Sequence, residues 1–190
     1  DTWDEEALEK YRAMLRGLRE RGITPVVTLH HFSDPLWFYE MDGWEHDEAA
    51  VMFEKFVRKT VEALKEHCSF WCTINEPNVY ALSGYVAGSF PTKRRGLKVA
   101  MQAQANMLLG HAAAYYAIHE IQSEARVGYA LHFRPMVARN KWSPLDVLMR
   151  NIQYNGINMA FPSAISSGVM KSPIGNVNIP EAKGAQDYLG

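Results

Sequence analysis

Asn75, Glu76 and Pro77 follow directly on the short apolar run Phe70-Trp71-Cys72-Thr73-Ile74. The run is short, apolar and bounded by polar residues, so it reads as a buried strand of a parallel sheet. Pro77 has no N–H to give to a ladder, and the strand must stop there. A carboxylate left at the carboxyl end of a parallel strand sits where α/β enzymes place their chemistry. An isolated Glu at such a place is usually a solvated charge or a helix N-terminal charge. The Asn before it and the Pro after it favour a built turn over that reading.

The other candidates are histidines and aromatic rings. His30 and His31 are adjacent on an expected strand, so their side chains point to opposite faces and cannot chelate one metal. One should face the interior or mouth of the sheet, the other the helix layer. No further His or Cys stands at a zinc-site spacing, so no metal is expected. His111 and His119 lie eight apart on a helical stretch and read as packing or surface residues. Trp37, Trp44, Trp71 and Tyr85 lie in or beside strand-end loops, and flat aromatic faces suit the apolar faces of sugar rings. Trp71, inside the run, reads as core. Trp37 and Trp44 are the better candidates for substrate contact. Met101 and Met107 read as gap-filling core.

The elements that must position these residues alternate. A helix is expected from about Glu5 to Arg21, with Thr2 and Glu5 at capping-box spacing and Gly22 as its stop. Ile23 to His31 reads as a strand. A loop with Pro35, Trp37 and Trp44 follows, then a helix from about Asp47 to His67 and the strand at 69–74. A long glycine-containing loop runs from Asn75 to about Gly96, followed by a helix from about Leu97 to Ser123. Arg126 to Phe133 reads as a strand, Ser143 to Gly168 as helical in one or two pieces, and 169–186 as loop. Asp187 to Gly190 looks like a strand that has only begun. Strands alternating with helices predict a parallel α/β sheet. No phosphate-binding glycine loop follows any strand, which weakens a nucleotide-binding fold. Substantial strand-end loops favour a (β/α)8 TIM barrel. A complete barrel takes about 250 residues, so the expectation is one incomplete catalytic domain over 1–190, cut at both ends.

Composition excludes several classes. The 190 residues are 47% hydrophobic and 22% charged, with a net charge of -1, and no 18-residue apolar window occurs. No nucleic-acid or membrane partner is expected. The one basic cluster, Lys93-Arg94-Arg95, reads as a solvated loop. Cys68 and Cys72, if on one strand, lie about 13 Å apart, too far for a disulfide. Buried free thiols suit a reducing, cytoplasmic compartment. The chain starts at Asp1 rather than Met, so it is expected to be processed or incomplete.

Three blocks together resemble glycoside hydrolase family 1, the retaining β-glucosidase family. They are GITPVVTLHHFSDPLWF (22–38), FWCTINEPNVYALSGYVAGSFP (70–91), and LLGHAAAYYAI (108–118) with RVGYALHFRP (126–135). They are similar to the family's third, fourth and fifth barrel strands, and the closing DYLG resembles the start of the sixth. The resemblance implies that Glu76 is the general acid/base and that Asn75 hydrogen-bonds the sugar 2-hydroxyl. It implies that His31 binds the sugar in the glycone subsite. Phe32 stands where many members carry Trp. Asn78 and Tyr80 match less decisive positions and receive no role.

A retaining glycosidase uses two carboxyl groups about 5–5.5 Å apart, one shuttling the proton and one attacking the anomeric carbon. The family's nucleophile lies in a T/I-E-N-G motif that does not occur here; Glu181 lies in the wrong context, and the arginine of the second strand is absent. The expected activity is retaining β-glycoside hydrolysis by a full-length parent on a β-glucoside or related substrate, with no cofactor. The segment alone should be inactive and poorly folded. The alternatives are a 6-phospho-β-glycosidase, on which these residues are silent, and a sugar-binding pseudoenzyme, which retention of Glu76 argues against. Strict alternation sends Asn75 and Glu76 to opposite faces, so a shared pocket requires the backbone to turn past the regular ladder.

Overall fold

The computed structural model describes residues 2–187. Strands β1 (Val26–His30), β2 (Phe70–Asn75) and β3 (Arg126–Ala130) form a parallel sheet in sequence order. Helix α1 (Glu5–Glu20) precedes β1, and α2 (Leu36–Glu40) and α3 (Ala49–Leu64) connect β1 to β2. Between β2 and β3 run α4 (Pro77–Ala81) and α5 (Leu97–Ile121), and α6 (Pro144–Gln153) and α7 (Ala160–Ser167) follow β3. This is the alternation expected, with each crossover long enough to carry a helix. No helix among the described residues is long and apolar enough to cross a membrane. The strand expected at the C-terminal end falls on 188–190, outside the described residues. Asp187 itself donates its N–H to the Val127 carbonyl at 2.9 Å.

Local chemistry moves several boundaries. The cap of α1 is Asp4, not Thr2 in a capping box: its carboxylate accepts the Ala7 N–H at 2.9 Å. Gly22, at φ 73°, closes the helix as expected, with the Ile23 N–H turned back to the Leu18 carbonyl. The stretch expected as one loop after β2 instead holds α4 and a π-helical turn over Leu82–Val86. Pro77 sits at the first helical position of α4, where a missing N–H costs nothing. The stretch 169–186 is not wholly irregular either. It carries a two-residue hairpin, β4 (Val169–Met170) with β5 (Val177–Asn178), and a 3-10 turn over Pro180–Ala182.

Helix α5 is the central packing element, touching α3, β2 and β3. Its alanines at 100, 103, 105, 112, 114 and 117 are buried, as are Met101 and Met107, which fill core as expected. Small side chains let it approach closely; a Cβ on Gly110 would meet the Trp44 ring at 3.0 Å. The buried and half-buried polar groups along its seam with the sheet find partners. Gln122 accepts from the Trp71 indole at 3.0 Å and donates to the Lys65 and Cys68 carbonyls at 3.1 Å each. His111, fully buried, accepts the Thr73 hydroxyl at Nδ1 (2.7 Å) and donates from Nε2 to the Ala185 carbonyl (2.5 Å). Asp187 takes the Val127 N–H on one carboxylate oxygen and the Tyr115 hydroxyl on the other. Cys68 is buried and Cys72 half-buried, both as free thiols whose pKa burial pushes up.

Candidate active site

The strand β2 loses its alternation just before the site. Cys72 pairs with Gly128, but Asn75 pairs with Ala130, so three steps on β2 match two on β3. An extra residue of this kind re-aims the side chains beyond it. Glu76 then adopts a left-handed backbone, φ 46° and ψ 55°, which a residue with a Cβ takes up at a cost of about 1–2 kcal/mol. The conformation is held from both sides. The Glu76 N–H donates to the Ala130 carbonyl at 2.8 Å, and its carbonyl accepts from Val79 (2.9 Å) and Tyr80 (3.0 Å). The backbone therefore does turn at this pair. The turn begins inside the ladder rather than beyond it, since Asn75 still pairs and Glu76 still donates to β3.

The Glu76 carboxylate is 32% exposed and lies 3.5 Å from Nδ1 of His132, itself 39% exposed. His132 stands two residues past β3, as Glu76 stands one past β2. The motif reading passes over it; its position at a strand end inside RVGYALHFRP is the signal that could have found it. Its backbone is pinned by Asn78, whose side-chain amide donates to the His132 carbonyl at 2.7 Å and the Ile157 carbonyl at 3.1 Å. Asn78 is 1% exposed, so this residue without an expected role is a buried clamp between the β2 and β3 loops. Asn158, also buried, repeats the device by bonding both the N–H and the carbonyl of Arg134.

At the end of β1 the histidines separate as the strand geometry requires. His31 is exposed, and the register that pairs His30 with Ile74 carries it level with Asn75. His30 is buried, edge-on to Trp44, Phe53 and Tyr80. Its Nε2 faces Asp34 at 3.0 Å and the Trp44 indole N–H at 3.4 Å. One nitrogen cannot both donate and accept, and the shorter contact decides: Nε2–H donates to Asp34. The second Asp34 oxygen accepts the Tyr80 hydroxyl. Burial, reinforced by the Asp34 charge, pushes the Tyr80 phenol well above its ordinary pKa. Phe32, left-handed at φ 65°, stacks near-parallel on Tyr80 with centroids 6.4 Å apart.

Trp37 is exposed, with its ring edge-on to Phe38. Trp44, expected at the mouth, is instead a core residue, 1% exposed. It is wedged among His30, Phe38 and Phe53, with the Asn106 amide holding its carbonyl at 2.9 Å. A ring so enclosed offers no face to a sugar. The basic cluster lies in an exposed loop, as expected, but two of its charges are paired. Lys93 pairs with Asp42 at 3.1 Å, and Arg94 pairs at 2.6 Å with a Glu45 carboxylate that is 1% exposed. The two residues thus clasp the β1 and β2 loops together. Between those loops lies a cavity of about 320 Å³ lined by Phe32, Asp34, Tyr80, Tyr85, Phe90 and Lys93, among others. Asn75, Glu76 and His31 do not line it. Among the described residues no group of three or more His, Cys, Asp or Glu could hold a metal ion.

Comparison with known proteins places this geometry. The model of glycosyl hydrolase family 1 matches residues 2–168. Beta-glucosidase A of Thermotoga maritima is 31% identical over 125 residues, which cover 66% of this chain and 28% of that protein. The 6-phospho-beta-galactosidase 1 of Streptococcus pneumoniae is 32% identical over 130 residues, covering 68% of this chain and 27% of that protein. The solved beta-glycosidase from Pyrococcus horikoshii superposes with a TM-score of 0.86 at 33% identity, over 95% of this chain and 41% of that one. The chain thus spans less than a third of the length of these two curated relatives.

Proposed function

Because the chain belongs to glycosyl hydrolase family 1, we propose that it carries the acid/base half of a retaining β-glycosidase. The alternating parallel order corresponds to strands three to five of a (β/α)8 barrel, with the sixth beginning near Asp187. The residues 1–190 then form a central segment of one catalytic domain, and the nucleophile is supplied by barrel strands outside them. The observation that carries the reading is Glu76: a one-third-exposed carboxylate on a strained turn at the carboxyl end of a parallel strand.

In this mechanism Glu76 gives its proton to the glycosidic oxygen as the partner carboxylate attacks the anomeric carbon. It then takes a proton from the water that releases the sugar. Asn75 bonds the 2-hydroxyl and His31 the glycone ring, with Phe32 as the ring's wall. Trp37 offers an exposed aromatic face further out. Trp44 acts only through the core that holds His30.

The test is Glu76→Gln in the complete enzyme containing this segment. Its kcat/KM on an alkyl β-glucoside, a poor leaving group, should fall by about 10²–10⁴-fold, and azide should restore turnover on an activated aryl β-glucoside. Unchanged hydrolysis of the alkyl glucoside would sink the assignment. The segment assayed alone should show no turnover. Identity to the Streptococcus pneumoniae enzyme equals that to the Thermotoga maritima one within a percentage point, which keeps 6-phospho-β-glycosides as a second substrate class. Paired assays with plain and 6-phosphorylated substrates separate the two.

A further inference from the structure

The contact between Glu76 and His132 is the product of a rigid frame. Glu76 is tied to β3 by its N–H on the Ala130 carbonyl, and His132 is tied to α4 by the buried Asn78 amide. The two anchors cross between the same pair of strand ends, leaving only side-chain torsions free to set the 3.5 Å separation. Both side chains remain open to a ligand. At 3.5 Å the contact is longer than a hydrogen bond, and active-site contacts of this kind tighten when substrate excludes water.

We propose that His132 is a positioning residue for the Glu76 carboxyl group. The inference rests on the acid/base reading above. Nδ1–H of His132 donates to Oε1 of Glu76, so the transferable proton resides on Oε2. From Oε2 it passes to the glycosidic oxygen in the first step, and Oε2 receives the proton of the attacking water in the second. The imidazole gains and loses nothing in the cycle. Without it the carboxyl can rotate and carry its proton on the oxygen turned away from the bond to be cleaved.

The experiment compares leaving groups in the complete enzyme. His132→Ala should lower kcat/KM on an alkyl β-glucoside by about 10-fold, the size of one hydrogen bond to a charged group. It should change kcat/KM on 2,4-dinitrophenyl β-glucoside by no more than about 2-fold, since that leaving group departs without protonation. With the same activated substrate kcat should fall, because water must still be deprotonated. His132→Asn, which returns an N–H donor, should recover most of the loss. Equal loss on both substrates, no loss on the alkyl glucoside, or no recovery with Asn would each overturn the proposal. Glu76→Gln is run alongside. If it spares the alkyl glucoside the acid/base reading itself falls; if it alone shows the leaving-group effect, only the role of His132 falls.

Discussion

The seam between α5 and the sheet and the mouth at the carboxyl ends of the strands are built to different rules. Along the seam, Gln122, His111 and Asp187 are each bonded at both ends of their polar groups. At the mouth, His30 Nδ1 and Asn78 Oδ1 are buried without a partner among the described residues, and Phe32 and Glu76 hold left-handed backbones. A buried orphan acceptor costs about 1–3 kcal/mol, and each left-handed non-glycine residue about 1–2. The mouth therefore stores free energy that the seam supplies. The difference marks which region is arranged for stability and which for presenting groups to a ligand.

The largest effect that could break this comparison is expected at His111. His111→Leu leaves the Ala185 carbonyl buried and unpaired and the Thr73 hydroxyl with only the longer bond to the Gly128 carbonyl at 3.3 Å, a loss of about 3 kcal/mol at pH 7. Burial holds the imidazole neutral and lowers its pKa to about 4 from 6.5, with the bond to Ala185 opposing the shift. The unfolded chain binds the proton below about pH 6.5, so it carries more protons than the fold between there and pH 4. The stability His111 contributes is thus complete above about pH 6.5 and lost as pH falls toward 4, by about 3 kcal/mol. Urea unfolding of the complete enzyme and its His111→Leu variant should show curves far apart at pH 7 that converge near pH 4. A gap of constant size would mean that the imidazole is not held neutral.

Asp187 tests the other end of the seam with a smaller effect. Asp187→Ala removes an acceptor from the Val127 N–H and the Tyr115 hydroxyl, and a 3.0 Å contact from His119 Nε2. About 2 kcal/mol should be lost, with Asp187→Asn recovering part of it because one acceptor oxygen remains. Hydrogen exchange at the Val127 amide gives the local readout. An unchanged rate there would show that the carboxylate does not hold the edge of β3.

The contrast between seam and mouth also explains what the sequence discloses. The order of strands and helices was legible, because hydrophobic periodicity is a local property and α3, α5 and β2 each carry it over many residues. So was the place of Glu76 at a strand end, because Pro77 stops the strand beside it. The bulge between Cys72 and Asn75 was not legible, since a register is a relation between two strands and no residue of β2 records it alone. Trp44 misled because a loop Trp has the same letters whether its ring is enclosed or free; Gly110 and Asn106 on a distant helix enclose it. Lys93 and Arg94 are exposed as they read, but their ion pairs were not legible, the partners lying about 50 positions earlier. His132 meets Glu76 only through the parallel pairing of β2 and β3.

The finest probe of the mouth asks whether its strain is real. Glu76→Ala and Glu76→Gly both delete the carboxylate, so both abolish its chemistry and its contact with His132. They differ in one respect: glycine adopts φ 46° without a Cβ clash, and alanine does not. Against this stands glycine's greater loss of backbone entropy on folding, about 0.5–1 kcal/mol, which favours alanine wherever the conformation is ordinary. If the left-handed turn is strained, relief of about 1–2 kcal/mol outweighs that entropy, and Glu76→Gly unfolds at higher urea than Glu76→Ala by the difference, on the order of 1 kcal/mol or less. The opposite order would mean that Glu76 sits in an ordinary backbone well in the complete enzyme. The mouth would then owe its arrangement to the clamps of Asn78 and Asn158 alone, and not to strain stored at the carboxylate.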